Sequence, residues 1–227
     1  MTLTAPMLTL ADLVDEPTVR PVLASATVHH GLVWDLQRDT VDLGEGGVVE
    51  REYVRHPGAV IVVALRELRG EAGPAQVFLI KQYRHPVGAI EWELPAGLLD
   101  AAGEPPWHTA ARELAEEADL RAQTWHVLAD YYASPGGMTE ALRIYLARGL
   151  SDVPEQQRHT RQAEEAGMPT GWVDLSDAVT AALTGRLNNA GAIVGVLAVE
   201  VARERRWTSL RPHDTPWPQH PTRGIAP

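Results

Sequence analysis

The chain has 227 residues, 44% of them hydrophobic, enough for one sizeable core and a small accessory domain without help from metals or disulfides. It contains no cysteine, which excludes a thiol nucleophile, a disulfide framework and a cysteine-ligated zinc site. A formal charge of -10 and a pI near 5.3 speak against a protein built to grip a nucleic-acid backbone, so any phosphate bound here calls for metal ions and a few placed arginines.

The opening residues lack a basic stretch followed by an apolar one, so no secretory signal is expected. From Ala26 to Arg55 apolar and polar residues alternate, as over Leu32–Leu36 and Val48–Val54, with a glycine-rich turn between; this predicts a small antiparallel N-terminal sheet. Ala59–Leu65 and Gln76–Tyr83 are apolar enough for central strands, separated by a turn around Gly70–Pro74. A glycine-rich loop, Pro95–Pro106, leads into a helix predicted from about Pro106 to Ala118, with Pro105 and Pro106 suited to its first turn. Strands are predicted at Thr124–Ala133 and Leu142–Ala147, on either side of a turn at Ser134–Gly137, and a short one at Trp172–Leu175.

Ser176 followed by Asp177 reads as an N-cap, and Asn188–Arg205 has apolar residues at helical spacing, so two C-terminal helices are expected. The tail from Thr208, with Pro212, Pro216, Pro218 and Pro221, has no regular pattern and is expected to be extended or partly disordered. The longest apolar runs fall well short of the roughly 18 residues of a membrane span. The expectation is a soluble, cytoplasmic chain in three parts: a sheet segment at 1–57, a main domain at 58–207 and a tail at 208–227.

The most informative stretch runs from Gly97 through Glu104 to Arg112, Glu113, Leu114, Ala115, Glu116 and Glu117. At roughly 100° per residue, Glu113, Glu116 and Glu117 project from one helix face while Ala111, Leu114 and Ala118 face a packing partner. Like charges at that spacing repel. A solvated acidic face would explain the string alone, but the glycine loop before it favours a divalent cation held between the carboxylates. All-oxygen ligands point to Mg²⁺ or Mn²⁺ rather than zinc. Glu104 lies where it would pair with Arg112 and brace the loop on the helix.

These residues resemble the Nudix box, which runs glycine, five residues, Glu, seven residues, then Arg-Glu-aliphatic-X-Glu-Glu-X-Gly-aliphatic. The sequence departs from it twice. Six residues rather than five separate Gly97 from Glu104, and Asp119 stands in place of the second glycine. Neither departure removes a carboxylate, and Asp tolerates the left-handed conformation that glycine usually supplies at a helix end. Further segments, Lys81–Pro86, Glu91–Gly97, Ser134–Glu140, the Arg51 and Glu52 pair and Gly185–Ala190, are similar to ADP-ribose pyrophosphatases and other nucleoside-diphosphate-sugar hydrolases of that family. The likeness extends from about Thr27 to Val199.

The resemblance implies an α+β fold: an α/β/α sandwich around a mixed sheet, plus a small N-terminal antiparallel sheet exchanged in a homodimer with a shared active site. It implies hydrolysis of ADP-ribose to AMP and ribose 5-phosphate with Mg²⁺ as cofactor and Mn²⁺ as a possible substitute; charge and the short apolar runs lead to no expectation of nucleic acid or membrane as partner. Glu113 and Glu117 would be metal ligands, with Glu116 in the same cluster and the Ala96 carbonyl as a backbone ligand. Arg51, Arg84 and Glu140 would contact substrate; the plain alternatives are surface arginines paired with nearby acids and an ordinary loop acid.

The general base would come from the loop at about Ser151–Pro169, which contains Glu155, Glu164 and Glu165. Counting back from the helix after Trp172 puts Glu164 at that position, with Glu165 as its rival. Val28, His30 and Trp34 lie where an adenine shelf would be needed. The alternatives are another nucleotide sugar such as GDP-mannose, an oxidised nucleotide, or a sensor that binds ADP-ribose without cutting it.

Overall fold

In the computed structural model, residues 5–68, 73–101, 103–161, 167–218 and 220 are described. Most of the turn predicted at Gly70–Pro74 and both candidate bases, Glu164 and Glu165, lie outside these residues. By its internal contacts the chain divides into two units, Met1–Tyr53 and Val54–Pro227. The sheet segment was expected to end at residue 57.

The first unit is a three-stranded sheet in the order β1 (Val22–His30), β2 (Asp35–Asp42), β3 (Val48–Arg55), with β1 and β2 antiparallel. It begins four residues before the predicted alternation, and Leu32–Trp34, expected within a strand, instead form the bend between β1 and β2. The reason lies at Gly31, whose N–H donates to the Trp34 carbonyl at 3.1 Å; a Cβ there would collide with that oxygen, so only glycine closes the turn. Arg38 pairs with Glu52 and the Tyr53 hydroxyl donates to Asp39 at 2.9 Å, which ties the strands together by side chains as well as backbone. All nine residues of β1 are exposed.

The second unit is built on β4 (Ala59–Glu67), whose first seven residues are all buried because both faces of the strand are covered. Around it run β5 (Ala75–Arg84), β6 (Ala89–Glu93), β7 (Ala96–Leu98), helix α1 (Pro106–Ala118), β8 (Leu120–Tyr132), β9 (Ala141–Asp152) and β10 (Thr170–Asp174). Helices α2 (Leu175–Leu183) and α3 (Ala190–Glu204) and the short β11 (Arg211–Pro212) complete it. The sheet order is β10-β5-β4-β9-β8-β11, with β6 on β5 and β7 on β4. Strands β4 and β9 are parallel and the other described pairings are antiparallel, giving a mixed sheet in an α+β fold.

On one face Val60, Val62 and Ala64 pack with Ala110, Leu114 and Ala118 of α1. On the other, Ile61, Val63 and Leu65 pack with Ala178 of α2 and Val196 and Val199 of α3. Each fully buried valine, leucine or isoleucine in these layers is worth roughly 1.5–3 kcal/mol, and together they fix α1 against the start of β4.

Three expectations are corrected. Helix α2 starts at Leu175 with Asp174 in the capping position, while Ser176 lies inside the first turn, its carbonyl accepting the Thr180 hydroxyl at 2.8 Å. Ala96–Leu98, read as loop, is a strand, because its three residues pair with Ala59–Ile61. The tail, expected to lack regular structure, is docked as far as it is described.

Arg206 and Trp207, both at positive φ, turn the chain off α3; Arg211 and Pro212 then pair with Val127 and His126 of β8. Arg143, 2% exposed, forks onto Asp130 at 2.7 and 3.0 Å and donates to the Thr215 carbonyl at 2.6 Å. The same guanidinium lies 4.7 Å from the ring centre of buried Trp217, and Arg211 adds a third bond to Asp130.

Candidate active site

The pairing of β7 with β4 sets the start of the glycine loop against α1. Gly97 sits against Glu113 so closely that a Cβ would fall well inside 3.0 Å of the Glu113 Oε1, Cδ and Cγ atoms. The glycine is required there by close approach rather than by a turn. One residue earlier, the Ala96 N–H donates to Glu117 Oε2 at 2.9 Å. Glu117 is buried, 6% exposed, a costly place for a carboxylate without partners.

Arg112 organises the remaining acids. Its Nη1 donates to Glu113 Oε1 at 2.8 Å and to Glu116 Oε2 at 3.2 Å, and its Nη2 reaches Glu104 Oε2 at 3.5 Å. Although burial works against it, the charges of Glu113 and Glu116, with hydrogen bonds to Glu113 and Glu104, hold the Arg112 guanidinium above its ordinary pKa. Glu104 is held low, first by the Thr109 hydroxyl, which donates to it at 2.8 Å, and then by Arg112. The predicted brace between loop and helix is therefore present, with Thr109 as a partner the sequence did not reveal.

A divalent cation needs oxygen donors, and Glu113, Glu116, Glu117 and the Ala96 carbonyl are of that kind. Among the described residues no three such side chains already form a coordinating group. The positive guanidinium of Arg112 contacts both Glu113 and Glu116. The donor set suits the metal: two of the acids already converge on a shared cation, and the third is pinned beside Ala96.

The other candidates have partners or exposure of their own. Arg84 forks onto Glu93 at 2.7 and 2.8 Å, so the guanidinium expected to meet phosphate has a buried protein partner, Glu93 at 3% exposure. Glu140 is partly buried, its Oε1 3.6 Å from His56 Nε2. His56 Nδ1 accepts the Gly58 N–H at 3.0 Å, which leaves the ring proton on the nitrogen facing Glu140. Burial keeps His56 below its ordinary pKa despite Glu140, and Tyr131 is pushed up to about 12 by burial and then by the charge of Glu140.

In the N-terminal unit, Arg51 donates to its neighbour's carbonyl, Glu50 O, at 2.9 Å. Val28 and Trp34 are exposed at 44% and 47%, so core packing does not account for Trp34. His30 lies 3.2 Å from Asp35. In the loop expected to carry the base, Glu155 opens a short 3₁₀ turn, and Arg161 donates to the Glu116 carbonyl and to Asp119, which sequence reasoning missed. The departure of Asp119 from the box was the available signal.

A glycine loop threaded against a helix of clustered glutamates, on a mixed sheet with helices on both faces, defines a hydrolase of the Nudix class. Residues 55–193 match the NUDIX domain, and the chain belongs to the Nudix family. It is 45% identical over 200 residues to an ADP-ribose pyrophosphatase of Mycobacterium tuberculosis, covering 88% of this chain and 92% of that protein. It is 36% identical over 135 residues to an ADP-ribose pyrophosphatase of Bacillus subtilis, covering 60% of this chain and 69% of that one. A crystal structure of an ADP compounds hydrolase has the same fold, with a TM-score of 0.65 and 20% identity, covering 85% of this chain and 98% of that one. No helix among the described residues is long and apolar enough to cross a membrane.

Proposed function

We propose that the protein hydrolyses the pyrophosphate bond of ADP-ribose to AMP and ribose 5-phosphate with Mg²⁺. The observation that carries this reading is that Glu117 is bonded to the Ala96 N–H, Glu113 lies against Gly97 and Arg112 joins Glu113 to Glu116, in a chain 45% identical to an ADP-ribose pyrophosphatase over 88% of its length. Glu113, Glu116, Glu117 and the Ala96 carbonyl would hold the metal, which when bound neutralises the pyrophosphate and acidifies the attacking water. The chain's own residues do the rest. Arg112 with Glu104 keeps the loop and helix in register, and Glu164, with Glu165 as rival, accepts the proton from water. Arg84 and Arg51 meet phosphate oxygens, and Glu140, oriented by His56, meets the ribose end of the substrate.

A homodimer in the cytoplasm is part of this proposal. The homodimer is supported by β1, whose Val22, Leu23 and Val28 are exposed among the described residues. A monomer retaining full activity would refute the shared site.

The test is a product assay with ADP-ribose, GDP-mannose and 8-oxo-dGTP, each with Mg²⁺ or EDTA, beside Glu113→Gln, Glu117→Gln and Glu164→Gln. AMP formed from ADP-ribose, lost with EDTA and in all three variants, is the expected result. Cleavage of GDP-mannose in preference to ADP-ribose would move the substrate, and no cleavage of any would favour a binding role.

A further inference from the structure

Asp119 stands where the family's box has a glycine, and its φ of 54° places a residue with a side chain in the left-handed region that a helix-ending glycine normally fills. Its Oδ1 is buried with no hydrogen-bond partner among the described residues. Both features cost stability that glycine would not, so the side chain needs a compensating role. The geometry supplies one. Asp119 Oδ2 accepts a bond from Arg161 Nη2 at 2.7 Å, and Arg161 Nε donates to the Glu116 carbonyl at 2.9 Å. That carbonyl is one of the last in α1, which have no partner within the helix.

One guanidinium therefore clips residue 161 onto the turn of α1 that carries Glu116 and Glu117. Asp119 also accepts the Val153 N–H on its backbone carbonyl at 2.8 Å, so it fixes both the start of the segment after β9 and a point eight residues further on. The far side of that segment is held independently, where the Pro169 carbonyl accepts the Lys81 N–H at 2.8 Å.

We propose that Asp119 and Arg161 form a positioning pair that locks residues 153–161, after β9, to the end of the carboxylate helix, in the register catalysis requires. The proposal deepens the reading of Glu113, Glu116 and Glu117 as metal ligands and of this segment as the source of the base, and rests on it. Neither member of the pair is a catalytic residue. Each acts through the groups it holds.

Asp119→Gly is the informative substitution, because it installs the residue the box normally has, relieves the left-handed conformation and deletes only the ion pair. The expected result is a fall in kcat of about ten- to a hundredfold with KM unchanged within about twofold, and no fall in thermal midpoint. Arg161→Ala should give a similar loss, Arg161→Lys an intermediate one, and the double variant no more than the worse single, because both remove one unit. Amide exchange over residues 153–158 should quicken in both single variants, a readout independent of activity. Wild-type kcat in Asp119→Gly, or losses that add in the double variant, would overturn the proposal.

Glu164→Gln and Glu165→Gln measured alongside separate the two readings. If both keep full kcat while the pair's variants lose it, the assignment of the base fails and the pair stands, acting through α1. If either is inactive while the pair's variants are unimpaired, the pair fails and the base stands.

Discussion

Replacing Gly97 by alanine tests whether the contact between the glycine loop and α1 sets the position of a reacting group. The added Cβ would meet three atoms of Glu113, from Cγ to the carboxylate, inside 3.0 Å, so rotating only the far end of the side chain does not relieve the clash. Gly97 is also held by its strand pairing opposite Val60, and the whole Glu113 side chain must swing aside. A retreat on the order of 1 Å is enough to cost about a hundredfold in rate, or roughly 2.7 kcal/mol in the barrier, when the displaced group positions the reaction. The swing also breaks the 2.8 Å bond from Arg112, which remains paired with Glu116 and Glu104.

Overpacking costs about 1–3 kcal/mol of stability, at the lower end here because Glu113 borders solvent. Steady-state kinetics of AMP release from ADP-ribose, with a thermal melt of the same preparation, separates the two effects. A folded Gly97→Ala protein with wild-type kcat would show that the approach of loop to helix does not position Glu113 for the reaction.

Arg143→Met should remove the two bonds to Asp130 and the bond to Thr215 while leaving Arg211 on Asp130, a loss of about 3 kcal/mol. That corresponds to a drop of roughly 6–12 °C in melting temperature for a chain of this size, with faster proteolysis of the tail; an unchanged melt would refute it. His56 is held below its ordinary value of 6.5 by burial, and His126 by burial, Arg148 and His213. Both are depressed in the folded state, so their contribution to stability is present above pH 6.5 and lost as the pH falls. Melting temperature should fall between about pH 6.5 and pH 5, less steeply in His126→Gln, and a flat profile over that range would contradict the assignment.

Local chemistry made much of this legible in the sequence. Helix α1 occupies Pro106–Ala118 as predicted, because its proline start, alanine-rich interior and apolar stripe agree with one another. The brace of Glu104 on Arg112 followed from spacing alone. What sequence could not give was set by distant partners. β7 is a strand only because β4 lies beside it, and Arg143 reaches a carbonyl 72 residues away. His56 acquires its relation to Glu140 by folding across 84 positions of sequence. Arg84 gains such a partner too: the family resemblance implies a phosphate contact there, and the fold sets Glu93 of the neighbouring strand β6 beside the same guanidinium. Glu164 and Glu165 lie outside the described residues, so their distinction rests with kinetics.

The short β11 also bears on how separate copies of the protein meet. A strand at the margin of a sheet presents backbone groups that can recruit another chain. Over Val127 and His126 of β8 those positions are taken by Arg211 and Pro212, and proline has no N–H to offer an incoming strand. The following residues are drawn away from the margin by Arg143, whose bonds to the Thr215 and Pro216 carbonyls leave those acceptors engaged. A variant shortened at residue 207 would bare that part of β8, and its first fault would be clumping at high concentration rather than slower turnover.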